Sequence, residues 1–270
     1  RTQDYPAGDL AGLLSHPASF LNTFAKINDP NEPNKGAFPF TLWPWQWELL
    51  DIWYTNNRVI VLKARQLGVS WLLAGFALWT FLTMPGSVIL LISRREQEAM
   101  RLLAKVVYMY DHLPRNLKFP SHRGDSHSKT IFSSVVLGSM MMALPATPES
   151  GRSETATLVI PDEWAIQPDA GAMYGSYDAT VGQTGKIIGA STAQGPGGFF
   201  YEMWEGAKAG TNGFIPVFLP WSLRPGRTVA WRDEKKREYD SQGMPELLGQ
   251  EYPEDDIDAF RTSAALFFNE

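Results

Sequence analysis

The 270-residue chain contains no cysteine. Disulfides and thiolate metal centres are therefore excluded, and the composition fits a reducing compartment. Histidine is scarce: His16, His112, His122 and His127 stand at no metal-ligand spacing from nearby acids and read as surface residues. An excess of positive charge is also missing. Lys and Arg number 24 against 29 Asp and Glu, a formal net charge of −5. A protein gripping a polyanion over its whole surface would be basic, so any nucleic-acid contact must be local. The longest apolar stretch, Trp71 to Met84, is too short to cross a bilayer. The polar first residues show no signal peptide, and internal repeats and low-complexity tracts are absent.

What is present is a globular composition, 44% apolar and 13% aromatic. The length suits one large domain or two small ones. Short apolar runs at 59–62, 87–92, 158–161, 186–191 and 214–219 read as strands. Helical patterns cover 44–54, 71–84, 94–112, 197–207 and 231–240, with looser helical stretches near 171–180 and within 245–262. Segments 130–137 and 139–144 alternate around Gly138 and predict a hairpin. Residues 1–40, rich in Pro, Asn and Gly, predict an extended arm with a short helix near Ala18 to Lys26. The alternation of strands and helices points to an α/β fold, a mostly parallel central sheet flanked by helices on both faces.

Two stretches carry chemistry. Leu158-Val-Ile-Pro-Asp-Glu163 is a buried strand ending in two adjacent carboxylates. Such strand ends bind ligands in parallel sheets, and two acids there repel each other unless a cation shares the site. Asp162 suits Mg²⁺ coordination, and Glu163 suits activation of a water attacking a phosphate. The alternative is a strand that simply ends in solvated acids. The second stretch, Lys63-Ala-Arg-Gln-Leu-Gly-Val-Ser70, joins strand 59–62 to helix 71–84. Strand, turn and helix present backbone N–H groups to phosphates. The standard loop reads G-x-x-x-x-G-K-[ST]. Here Gly68 and Ser70 keep the second glycine and the hydroxyl, Val69 replaces the usual lysine, and Lys63 stands where the first glycine would be. A lysine at the front of the loop can reach the β- and γ-phosphates as a point charge, and Arg65 adds a forked donor. An ordinary turn with two solvated cations is the other reading. The functional reading expects the two stretches to come from neighbouring strands and to converge on one triphosphate.

The loop 63–70 resembles the deviant phosphate loop of large terminase subunits, the DNA-packaging motors of tailed bacteriophages and herpesviruses. Four further segments resemble that family in its order: Trp43-Pro-Trp-Gln46, an adenine-recognition segment; Leu137 to Pro145 followed by Gly151-Arg152-Ser153, a hairpin and arginine turn; Ile187-Ile-Gly-Ala-Ser-Thr192, a coupling motif; and Glu251-Tyr-Pro-Glu running to Ala259-Phe260, a closing segment.

The resemblance implies an ASCE-type P-loop NTPase domain over 41–262, preceded by the arm and followed at 263–270 by the start of a linker to a nuclease domain. It implies ATP and Mg²⁺ as cofactors, with Gln46 at the adenine and Gln66, Leu67, Gly68, Val69 and Ser70 around the phosphates. Ser70 and Asp162 would hold the metal, Glu163 would be the base, Lys63 and Arg65 would face the γ-phosphate, and Arg152 would be an arginine finger acting on a neighbouring subunit. Ser191 and Thr192 would sense the γ-phosphate. The implied activity is ATP hydrolysis driving double-stranded DNA into a procapsid. The implied partners are the portal, the small terminase subunit and further copies in a ring, in the cytoplasm of an infected bacterium and not at a membrane. A helicase-like translocase and a non-catalytic nucleotide-binding assembly protein remain alternatives. Two basic strips, Arg115 to Lys129 and Arg224 to Arg237, are candidate DNA contacts or else solvated charged faces.

Overall fold

The computed structural model describes residues 7–28, 36–150 and 155–261. In chain order, α1 (Ala7–Leu14) and α2 (Pro17–Phe24) lead to β1 (Lys26–Ile27), β2 (Phe38–Pro39), α3 (Pro44–Thr55), β3 (Arg58–Lys63) and α4 (Val69–Thr83). There follow β4 (Val88–Ser93), α5 (Glu96–Asp111), β5 (Ser126–His127), β6 (Ile131–Ser134), β7 (Ser139–Pro145), β8 (Leu158–Pro161) and α6 (Ala170–Val181). The last elements are β9 (Lys186–Ser191), α7 (Phe199–Lys208), β10 (Ile215–Leu219), α8 (Val229–Ser241), α9 (Leu247–Glu251) and α10 (Asp256–Arg261).

Eight strands form one sheet in the order β10-β3-β9-β8-β4-β7-β6-β5. From β10 to β7 every pairing is parallel, and β6 and β5 close the far edge antiparallel. The central strands are apolar throughout because both of their faces are covered. Alternate residues point to opposite faces. Val59 and Val61 of β3 and Ile89 and Leu91 of β4 join the core beneath α2, α3, α4 and α5. Ile60, Leu62, Leu90 and Ile92 join the core beneath α6, α7 and α10. Helix α4 is apolar on all sides because it lies within the first core, with Leu72, Leu73, Ala74, Ala77, Leu78 and Phe81 buried. Helix α8 contributes no buried residue, in keeping with its charged sequence. Among the described residues no helix is long and apolar enough to cross a membrane.

Two expectations change. The first segment is no loose extension: Phe20, Leu21 and Phe24 of α2 are buried in the larger core against α3 and α4. Its apolar residues outweigh the Pro and Asn content that suggested an arm, which is concentrated at 29–35, outside the described residues. Strands β3 and β8 are also not neighbours, because β9 lies between them.

Candidate nucleotide site

In a parallel sheet the carboxyl ends of the strands share one edge, where a ligand crevice forms. Here β3 delivers Lys63, β4 leads to Arg94, β8 leads to Asp162 and Glu163, and β9 delivers Ser191. Lys63, Arg65, Gln66, Arg94, Glu163 and Thr192 line a cavity of about 470 Å³ at that edge.

The turn after β3 is shaped by two left-handed residues, Gln66 (φ 62°) and Gly68 (φ 78°). At Gly68 that conformation favours glycine, and α4 starts at the next residue. The helix thus begins two residues earlier than its apolar pattern suggested. Val69 and Ser70 belong to its first turn, whose N–H groups have no partner inside a helix. The Val69 side chain is buried, so this residue can offer only its backbone. The turn is braced from outside. Ala64 N–H donates to Leu219 O at 2.9 Å and Arg65 N–H to Glu251 O at 2.9 Å. Arg224 Nη1 donates to Gln66 O at 2.7 Å, and Arg227 Nη2 to Gln66 Oε1 at 3.2 Å. The Arg65 guanidinium pairs with the Glu251 carboxylate. Gln46 is buried; its Oε1 accepts from Trp43 N–H at 2.9 Å and its Nε2 donates to Leu67 O at 3.4 Å. It therefore joins the start of α3 to the turn.

The acids meet this turn from across β9. Asp162 is only 9% exposed, and burial pushes its carboxyl above the usual range, opposed chiefly by the Lys63 ammonium. The Ser70 hydroxyl also works to lower that carboxyl, the smallest of the opposing influences. Burial likewise pushes Lys63 down, opposed by Asp162 and then Glu163. Glu163 opens toward the cavity; partial burial, followed by the Asp162 charge, pushes its carboxyl up. Its backbone is left-handed (φ 51°), and its N–H donates to Asp162 Oδ1 at 3.1 Å. Among the described residues no group of three metal-ligating side chains occurs. One carboxylate beside one hydroxyl is nevertheless the hard-oxygen set that Mg²⁺ takes when phosphates supply further ligands.

Ser191 is buried, and its Oγ accepts from Ala165 N–H at 3.0 Å. Its hydroxyl thus holds the turn that follows the acids, and Ser191 and Thr192 both line the cavity. Arg152 lies outside the described residues.

Lys105 of α5 was missed. Both acids bear on it, Asp162 more strongly than Glu163, and its Nζ lies 5.8 Å from the Trp71 ring centroid. Glu98, Arg101 and Lys105 form a charged row at helical spacing, a signal visible in the sequence. Only the β4–β8 pairing shows that this helix stands beside the acids.

The strip 224–237 is largely occupied internally. Besides Arg224 and Arg227, Arg232 pairs with Glu254 and Asp258, Lys235 with Glu238, and Lys236 with Asp240. These pairings favour the charged-face reading over a free DNA contact.

No family model and no curated protein matches the sequence. Solved structures do. The large terminase of bacteriophage HK97 superposes with a TM-score of 0.63 at 18% identity, over 94% of this chain and 52% of that one. The fold is that of a phage large terminase ATPase domain. The ATPase domain of a Thermus phage large terminase matches with a TM-score of 0.54 at 20% identity, over 73% of this chain and 88% of that one. The large terminase of a thermophilic bacteriophage in complex with ATP-γ-S matches with a TM-score of 0.54 at 11% identity, over 73% of this chain and 49% of that one. The chain thus spans about half the length of the HK97 terminase it matches.

Proposed function

We propose that this chain is the motor domain of a viral large terminase subunit and hydrolyses ATP to drive double-stranded DNA into a procapsid. The observation that carries the proposal is the convergence of Lys63, Ser70, Asp162 and Glu163 at one strand edge from two separate strands. The resemblance of five motifs in order and the terminase fold agree with it.

In this reading the triphosphate lies over the turn 63–70. The N–H groups at the start of α4 face its oxygens. The Lys63 ammonium, which already feels the charges of Asp162 and Glu163, offsets the charge that spreads over the γ-phosphoryl group. Ser70 and Asp162 would hold Mg²⁺, which supplies further charge compensation on the β- and γ-phosphates when bound. Glu163 orients a water and accepts its proton as the water oxygen attacks the γ-phosphorus. The bond to the β–γ bridging oxygen breaks, and ADP leaves. Its raised carboxyl pKa makes Glu163 a better proton acceptor than an ordinary glutamate. Arg65 is tied to Glu251, so its approach to the γ-phosphate exchanges that partner for phosphate. Arg152 acts on the nucleotide of an adjacent copy in a ring assembled at the portal, with the small subunit as a further partner.

The test is phosphate release from ATP with Mg²⁺, compared with the Lys63→Ala chain. The expected result is Mg²⁺-dependent turnover that Lys63→Ala lowers by about 10²–10³-fold. An inactive wild type assembled on procapsids with DNA would overturn the reading. For Arg152, substitution by alanine is expected to reduce turnover only in assembled subunits.

A further inference from the structure

Glu163 adopts φ 51° and ψ 45°, a left-handed conformation that is unfavourable for a non-glycine residue. Such a conformation persists only where its surroundings over-determine it. The flanking backbone is held on several sides. Asp162 N–H donates to Ile92 O at 2.9 Å, and Ala165 N–H donates to Ser191 Oγ at 3.0 Å. Trp164 is fully buried against Gly189, where an added Cβ would lie 2.3 Å from its Cε3.

The remaining restraint comes from a residue with no role in the nucleotide reading. Gln167, only 6% exposed, donates from Nε2 to Asp162 O at 3.0 Å and to Ile92 O at 3.4 Å. One amide thereby ties the end of β4 to the peptide that joins the two acids. Its own orientation is fixed from behind: the Tyr177 hydroxyl donates to Gln167 Oε1 at 3.1 Å. Tyr177 is 1% exposed, and burial keeps its hydroxyl protonated, so it stays a donor. With Tyr177 donating to Oε1, only Nε2 can face the two carbonyls. The amide cannot flip without leaving buried polar groups unpaired.

We propose that Gln167, oriented by Tyr177 of α6, is a positioning residue that holds Glu163 in its left-handed conformation and so sets where its carboxylate stands. The inference rests on the ATPase reading for its kinetic consequence, but its structural consequence stands alone. Gln167 touches neither substrate nor metal in this assignment. It acts through the Asp162–Glu163 peptide, so its loss moves the base and leaves the phosphate turn in place.

The experiment compares wild type, Gln167→Leu and Tyr177→Phe. The Leu variant keeps volume and removes the amide; the Phe variant removes one hydroxyl and is the milder case should Gln167→Leu fold poorly. In steady-state phosphate release, Gln167→Leu is expected to lower kcat by about 10–100-fold with KM for ATP nearly unchanged, since small misplacement of a reacting group costs that much. Tyr177→Phe is expected to lower kcat by less, again without moving KM. The double variant is expected to fall no further than Gln167→Leu, because both act through one amide. A variant kcat equal to wild type, or losses that multiply in the double variant, overturns the proposal. Crystal structures of both variants supply the second readout: Glu163 is expected to leave the left-handed region or to move its carboxylate. If it keeps both in the two variants, the proposal fails. A wild type without turnover would sink the ATPase reading, and Glu163 geometry in those crystals would then decide this inference by itself.

Discussion

The Ser70 hydroxyl bears on the buried Asp162 carboxylate and works against its upward shift, although β9 separates the strands that lead to them. Ser70 stands in the first turn of α4, which starts at Val69 directly after the turn that follows β3. Replacing Ser70 with Ala is expected to weaken Mg²⁺-dependent ATP-γ-S binding by about 10–100-fold, the range for a lost charged hydrogen bond. Metal-free binding should change far less. Titration calorimetry with and without Mg²⁺ checks this, and equal losses under both conditions would remove Ser70 from the metal site.

Glu163→Gln should lower turnover by about 10²–10⁴-fold, the contribution of a positioned base, while leaving ATP-γ-S affinity nearly intact. The same substitution carries a stability signature. A carboxyl whose folded pKa is raised binds its proton more readily in the folded than in the unfolded chain, so its contribution to stability falls as pH rises through the folded value. Near neutral pH the nucleotide-free Glu163→Gln chain should therefore melt above wild type. The difference should vanish below about 4.5, the ordinary glutamate value, where both forms are neutral. Calorimetric scans at the two pH values test the sign.

Arg65 and Lys63 should separate. Lys63→Ala should reduce kcat/KM by about 10²–10³-fold, as expected for a group compensating transition-state charge. Arg65→Ala should reduce it less and should also lower Tm, because Glu251 is only 8% exposed and loses its ion-pair partner. Adding Glu251→Gln to Arg65→Ala should recover part of that Tm. No recovery would mean that the pair does not brace the turn.

Gly189→Ala should destabilise the fold by about 1–3 kcal/mol, the usual cost of overpacking. The new methyl group would meet Trp164 beneath the acid turn. Denaturant unfolding measures the loss, and a neutral result would mean that the Trp164 ring shifts freely.

The sheet elements were legible because each buried strand is a short apolar run and several covering helices stop close to glycine or proline, as α4 does before Pro85-Gly86 and α6 before Gly182. The acid pair and the cationic turn stood out for the same reason: charged residues directly follow the wholly apolar runs 158–161 and 59–62. Strand order was not legible, since nothing periodic in Lys186 to Ser191 says that β9 inserts between β3 and β8. Lys105 stayed hidden for that reason, being one cation in an amphipathic helix whose neighbour was unknown. Gln167 was hidden differently. A glutamine in a loop carries no signal until two carbonyls and a tyrosine hydroxyl are seen to surround it.

Because β9 lies between the two halves of the site, neither half can shift without shearing the ladder that joins it to the other. Its register to Arg58–Leu62 on one side and to Leu158–Val159 on the other makes it a common rail. Displacement at the phosphate end would travel along this rail to Thr192 and on to the amino end of α7. That helix packs on β3 and β10, so under the proposed ATPase function it is the first element beyond the sheet to take up such a shift.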